Sequence, residues 1–250
     1  MDKYGLIGYP LGHSFSRSFF NEKFQKDGID AEYLNFEIPS ITDFPSIIAQ
    51  NPELRGLNVT IPYKEQVIPF LDGMDKAAEA IGAVNVIRVI RGNDRKTILI
   101  GYNTDYLGFC RSITPLLQPY HRRALVLGTG GASKAVCYAL KERGLSVTCV
   151  SRTPQPNQLS YADLTQEIIE THSVIVNATP LGTAPNTGYC PDIPYEYLHK
   201  EHLCYDLVYN PERTLFLQKA EAQGSVTKNG LEMLHIQAEE AWKIWKKATK

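Results

Sequence analysis

The residues that most restrict what this chain can fold into are Arg123-Ala-Leu-Val-Leu-Gly128-Thr-Gly130-Gly131-Ala132-Ser133, followed one helix length later by Ser146-Val-Thr-Cys-Val-Ser151-Arg152-Thr153. An apolar β-prone run, a glycine turn, a stretch with Ala135, Val136, Ala139 and Leu140 at helical spacing, and a second β-prone run spell strand, turn, helix, strand. That is the opening unit of a dinucleotide-binding fold. Gly128 permits the tight bend leaving the strand, and Gly130 lets backbone approach a pyrophosphate. Ser133, at the usual third-glycine place, is still small enough for helix to pack on strand. The helix from about Gly131 then aims free N–H groups and its positive dipole end at phosphate. Where an acid would bond a ribose 2′-hydroxyl stands Ser151, with Arg152 beside it, and an arginine suits a 2′-phosphate. NADP is therefore expected over NAD. The plainer alternatives are a glycine turn without nucleotide and a solvated arginine.

The unit begins mid-chain, so the residues before it are expected to supply the second reactant. A length of 250 residues fits one large domain or two ordinary ones, and the formal net charge of −1 offers no basic stripe for nucleic acid. No apolar run reaches membrane-spanning length, and the start of the chain lacks a charged segment followed by a long apolar one. A cytoplasmic protein without a membrane or nucleic-acid partner is expected. The five cysteines are odd in number and form no CxxC pair, so reduced thiols are expected. Cys137 and Cys149 fall in the predicted core of the nucleotide unit. His199 and His202 lack a third ligand nearby in sequence, are read as surface residues, and give no reason to expect a metal.

Patterning predicts strands at 4–7, 31–36, 56–60, 173–177 and 203–207, a short one at Val226, and a hairpin of 84–90 with 97–101 across Arg-Gly-Asn-Asp. Helices are predicted at 18–26, closed by Gly28, and at 41–50, 64–70, 75–81, 105–117, 214–223 and 230–247. The fold class is α/β, with an N-terminal α/β domain joined to a Rossmann-like domain.

The motifs, taken in order, resemble those of the shikimate dehydrogenase family nearly end to end. They are Gly8-Tyr-Pro10-Leu-Gly-His13-Ser14-Phe-Ser16, Gly56-Leu-Asn58-Val-Thr60-Ile-Pro62-Tyr-Lys64, Gly82-Ala-Val-Asn85 and Gly101-Tyr-Asn103-Thr104-Asp105. The glycine turn and Ser151-Arg152-Thr153 follow, then Asn177-Ala-Thr179-Pro-Leu-Gly182, Tyr205-Asp206-Leu-Val-Tyr209-Asn210-Pro211 and Gly230-Leu-Glu-Met233-Leu234 with Gln237. The chain departs from the usual pattern at Arg17, Phe20, Pro180, Thr183 and Leu207. The resemblance implies a discontinuous substrate domain of residues 1–103 plus 230–250, an NADP domain of 104–229, and an active site in the cleft between them. It further implies reversible NADPH-dependent reduction of 3-dehydroshikimate to shikimate in chorismate biosynthesis, by a monomer or homodimer. A broader quinate/shikimate dehydrogenase and a non-catalytic ligand-binding relative are the rivals.

Hydride reduction of a ketone leaves an alkoxide that needs a proton. Lys64, after a strand end and Pro62, and Asp105, at a helix start, are the candidates. The ammonium can stabilise and protonate the oxyanion, while the carboxylate holds the lysine or bonds a substrate hydroxyl. By spacing alone the plainer readings are favoured: Lys64 as a solvated lysine starting a helix, and Asp105 as a first-turn acid facing the helix dipole or an N-cap partner with Thr104. The substrate's carboxylate and ring hydroxyls call for short fixed hydrogen bonders. The family motifs supply Ser14, Ser16, Asn58, Thr60, Asn85 and Gln237, with Tyr209 in reach. Helix capping would explain the serines and backbone satisfaction the asparagines. For the cofactor the resemblance implies Gly128, Gly130, Gly131, Ala132, Ser151, Arg152, Thr153, Asn177, Thr179, Leu207, Gly230 and Met233, the last also a credible core residue.

Overall fold

Two sheets, each built from strands that alternate with helices, organise this chain. The computed structural model describes residues 1–12, 15–92 and 96–247, and the chain divides into two units, residues 1–104 with 238–250 and residues 105–237.

The first unit contains β1 (Asp2–Gly8), α1 (Phe15–Lys26), β2 (Ala31–Glu37), α2 (Phe44–Gln50), β3 (Leu54–Val59), α3 (Tyr63–Gln66), β4 (Gly73–Met74), α4 (Lys76–Ile81), β5 (Val86–Arg91) and β6 (Thr97–Tyr102). Its six-stranded sheet runs β2-β1-β3-β5-β6-β4. β1 pairs in parallel with β2 and β3, whereas β5 runs antiparallel to both β3 and β6. One face buries Ile7, Leu57, Val59 and Ile87 against Phe44 and Val67. The other face is aromatic. Tyr4, Phe20, Phe24 and Tyr33 pack with Trp242 and Trp245 from the end of the chain. Trp245 Nε1 donates to the Ile87 carbonyl at 3.0 Å, and a methyl group at Gly56 would run into its indole. This contact makes the unit discontinuous: residues 238–247 fill a face of a sheet begun by residue 2.

The second unit contains α5 (Asp105–Ile113), β7 (Arg123–Leu127), α6 (Gly131–Glu142), β8 (Ser146–Val150), α7 (Gln166–Thr171), β9 (Val174–Asn177), β10 (Leu203–Asp206), α8 (Leu215–Ala222) and β11 (Val226–Lys228). The last helix, α9 (Leu231–Trp245), starts in this unit. The sheet order is β11-β10-β9-β7-β8, and every pair is parallel. The chain runs from β7 outward to β8 and then returns to the other side of β7 as β9. The strand order therefore reverses between β7 and β9, which in open α/β sheets marks the ligand crevice. The three inner strands, β7, β9 and β10, are buried on both faces, as parallel strands under helices must be.

Several predicted elements shift at their ends for local reasons. α1 starts at Phe15, three residues earlier than expected. The predicted helix 41–50 is a 3-10 turn at Ile41–Asp43 followed by α2, because Pro45 lies in the first turn of α2 and can begin a helix but not continue one. The predicted helix 105–117 ends at Ile113 and tightens into a 3-10 turn around Pro115. β4 and α7 were not expected; they contain only two and six residues, too few for a period to show. The hairpin forms, but the tip of its turn at 93–95 lies outside the described residues.

Candidate active site

In the first unit three of the expected substrate residues, Ser16, Asn58 and Asn85, hang on one chain of polar groups. Ser16, at the start of α1, hydrogen-bonds the Tyr33 hydroxyl. Tyr33, on β2, donates to Asn58 Oδ1 at 2.6 Å. Asn58, on β3, donates to the Asn85 carbonyl at 3.4 Å. The Asn85 amide binds Thr104, accepting from its N–H at 2.6 Å and donating to Oγ1 at 3.0 Å. α1, β2, β3 and the loops before β5 and α5 are thus keyed to one another through side chains at 5 % exposure for Asn58, 3 % for Asn85 and none for Thr104. Buried amides of this kind must be satisfied, and each fixes the next. Backbone and neighbour satisfaction is what the asparagines do in this structure. Ser14 and His13 lie outside the described residues.

Thr60 follows β3, and its carbonyl accepts from Tyr63 N at 2.9 Å to open the turn into α3. Tyr63 is buried and donates to the Ile38 carbonyl at 2.6 Å, which anchors the single turn that carries half-buried Lys64. The Lys64 carbonyl is tied to Val84 N at 2.7 Å. The lysine therefore stands on a fixed base.

In the second unit Asp105 is buried as the first residue of α5. Gly108, one turn on, lies against the Met233 carbonyl, and a Cβ there would stand 2.6 Å from it. α5 thus sits tightly on the start of α9. Gln237 is buried nearby in sequence and donates to the Leu234 carbonyl at 2.9 Å. Met233 lies in the core with Phe109, Val126 and Tyr205, the plainer of its two expected roles. Gly230 is a close-approach glycine: a methyl group would collide with the Leu207 carbonyl. Burial pushes the Tyr209 hydroxyl up from its usual pKa.

The glycine turn sits at the crevice. Gly128 has φ +107, and a Cβ there would meet the Ala178 carbonyl at 3.2 Å. Gly130 caps α6 with no side-chain hydrogen bond, and a Cβ there would find nothing within 4 Å. Gly131 and Ala132 are half-buried in the first turn. Ser133 Oγ is buried with no hydrogen-bond partner among the described residues. At the end of β8 the Ser151 hydroxyl accepts from Thr153 N at 3.2 Å, while Arg152 and Thr153 are exposed. An uncapped helix N-terminus facing open space, a buried orphan hydroxyl and an arginine in place of a carboxylate fit the pyrophosphate and 2′-phosphate of NADP.

The sequence reading missed the roles of Asp206 and Tyr33. Asn177 is fully buried, with Oδ1 accepting from Thr179 N at 3.0 Å and Oγ1 at 2.6 Å, and Nδ2 donating to Asp206 Oδ1 at 2.9 Å. It shapes the turn after β9 from behind and leaves Thr179 as the more exposed residue of that turn. Asp206 also accepts from Val208 N and Thr214 Oγ1, and burial raises its pKa to about 6 against these bonds. Only its place in a motif signalled it. Tyr33 carried no signal beyond a strand aromatic. His202 is a correction. It is fully buried, with its ring bonded to the Ile169 carbonyl and the His199 N–H, because it staples the segment before β10 to the end of α7. Cys137 and Cys149 are only half-buried, not core.

Residues 6–87 match the model of the shikimate dehydrogenase substrate binding domain. The shikimate dehydrogenase (NADP(+)) of Aquifex aeolicus is 37% identical, over 97% of this chain and 90% of its own. That of Desulforamulus reducens is 35% identical, over 96% and 88%. The chain belongs to the shikimate dehydrogenase family. Among solved members, the Thermus thermophilus shikimate 5-dehydrogenase in complex with NADP(H) and shikimate is 32% identical and superposes with a TM-score of 0.85, over 98% of this chain and 94% of that one. As a shikimate dehydrogenase family member the chain shows, among the described residues, no cluster of His, Cys, Asp or Glu that could hold a metal, and no helix long and apolar enough to cross a membrane.

Proposed function

We propose that this chain catalyses the reversible NADP-dependent reduction of 3-dehydroshikimate to shikimate, a step of aromatic amino acid biosynthesis. The observation that carries this reading is the switch-point crevice of the second unit, where an open glycine turn and an uncapped helix stand beside a strand end bearing arginine and no acid. Gly128, Gly130, Gly131 and Ala132 hold the pyrophosphate, Arg152 and Thr153 the 2′-phosphate, and Thr179 the ribose side. Bound NADPH supplies hydride. Lys64 and Asp105 form the proton-transfer pair: the Lys64 ammonium steadies the developing alkoxide and gives it a proton, and takes one back in reverse. Asp105, at the head of α5, aligns the lysine. Ser14, Ser16, Asn58, Thr60, Asn85, Tyr209 and Gln237 position the carboxylate and hydroxyls. Residues 1–103 with 230–250 make the substrate domain and 104–229 the NADP domain, in a cytoplasmic monomer or homodimer.

The test follows NADP reduction by near-ultraviolet absorbance, with shikimate and then quinate. Turnover with shikimate is expected, and Lys64→Ala is expected to lose two or more orders of magnitude, roughly the worth of a general acid, while still binding NADPH. Wild-type turnover in that variant overturns the role of Lys64. No turnover with shikimate in the unaltered protein points to the non-catalytic relative, and equal turnover with quinate to the broader enzyme.

A further inference from the structure

Cys137, in the middle of α6, and Cys149, near the end of β8, bring their sulfurs to 3.4 Å. Both are free thiols and both are half-buried, on the edge strand of the sheet and the helix above it. The other cysteines differ. Cys204 is fully buried, Cys110 accepts a hydrogen bond from Arg143 Nε at 3.1 Å, and Cys190 lies beside Tyr195. We infer that Cys137 and Cys149 form a reversible dithiol–disulfide site, closed by a hydroperoxide and reopened by a thiol reductant.

Three features support this. The gap needs to shorten by a little over an ångström to reach the ~2.05 Å of a disulfide. The two thiols divide their labour. The two thiols share a hydrogen bond in which either sulfur can donate, and that bond lowers the pKa of Cys149 and raises that of Cys137. Lys141, one turn along α6 from Cys137, favours the thiolate of both. Cys149 is thus the thiolate that reacts and Cys137 the thiol that resolves.

The chemistry balances with the peroxide as oxidant. Cys149 sulfur attacks one peroxide oxygen, the O–O bond breaks, and a sulfenic acid forms as the first water leaves. Cys137 sulfur then attacks the sulfenic sulfur. The S–S bond forms, the S–O bond breaks, and the hydroxyl leaves with the Cys137 proton as the second water. Two thiols and one hydrogen peroxide become one disulfide and two waters. The bond fixes α6 to β8, the elements that follow Gly130 and precede Arg152.

The test uses the full chain, reduced and then exposed to hydrogen peroxide, with remaining thiols blocked by N-ethylmaleimide under denaturing conditions before tryptic digestion. Cleavage at Lys134, Lys141, Arg143 and Arg152 puts the two cysteines on separate peptides, 135–141 and 144–152. The expected result is these two peptides joined, two hydrogens lighter than their sum and separated by dithiothreitol, formed at least ~10-fold faster than Cys110 or Cys204 lose their thiols. Cys137→Ser is expected to halt oxidation at a Cys149 sulfenic acid that dimedone traps, and Cys149→Ser to leave Cys137 reduced. Recovery of both peptides unlinked after peroxide, over-oxidation of Cys149 in the unaltered chain, or linkage to a different cysteine overturns the proposal.

Discussion

Tyr33 shows how much a single hydroxyl can organise. It stands between Ser16 and Asn58, and through Asn58 it reaches Asn85 and Thr104. Tyr33→Phe keeps the ring in its stack on Phe20 but leaves Asn58 Oδ1 without its donor. The expected cost is about 1–2 kcal/mol of stability, with the KM for shikimate raised several-fold and that for NADPH unchanged. Urea titration and steady-state kinetics read both, and an equal rise in the two KM values would defeat the role. Arg152 tests the other reactant. Exposed at the end of β8, it can give a charge-assisted bond worth about 1.5–3 kcal/mol to a 2′-phosphate. Arg152→Ala should weaken NADPH roughly 10- to 100-fold and NADH hardly at all. Isothermal titration with each nucleotide decides, and an unchanged preference falsifies the assignment. The sequence singles out Arg152 because absence of an acid is itself a sign at that place. It does not single out Tyr33, because strand alternation says that a tyrosine is buried, never what its hydroxyl meets. Asp206 was legible only as a letter in a motif; its grip joins the turn that follows it, at Val208 and Thr214, to Asn177 on another strand.

At the scale of elements, the strand–turn–helix–strand unit from Arg123 to Val150 was fully readable, since composition, period and turn chemistry all agree there. Two of the helices misjudged at their ends are those in which proline acts: Pro45 and Pro115 each divide a helical pattern into a 3-10 turn and an α-helix. Close approaches between elements were illegible, because a glycine with an ordinary φ gives no turn signal. Gly56 on β3 is such a case, lying flat beneath the Trp245 indole. Gly56→Ala must push that ring away from Ile87, and a loss of about 1–3 kcal/mol is expected from overpacking. The change should show as a lower urea midpoint together with altered tryptophan fluorescence. An unchanged midpoint would mean that the indole has room to yield.

For the molecule as a whole, burial sets charges against one another as pH changes. His172 and His202 are held below their usual 6.5 chiefly by burial. The unfolded chain therefore takes protons first as pH falls below about 6.5, and these residues lose stability on the acid side. Asp206 acts in the opposite sense. Its pKa rises from 3.8 to about 6 on folding, so its contribution is complete below the lower value and is lost as pH rises through the upper one. Asp206→Asn removes that dependence. Relative to the variant, the unaltered protein should gain up to about 3 kcal/mol between pH 7 and pH 4, measured by urea unfolding at each pH. A difference that stays constant across this range would contradict the buried carboxyl. The aromatic face closed by Trp242 and Trp245 has a further consequence, one of timing. On the ribosome, strands β1 to β3 emerge long before their last layer exists, and the nucleotide-type sheet can be complete while they still wait for it. Synthesis thus runs back to front: the part translated first is the last to become watertight, and nascent chains arrested before residue 238 should draw chaperones to an uncovered Tyr4 and Phe24.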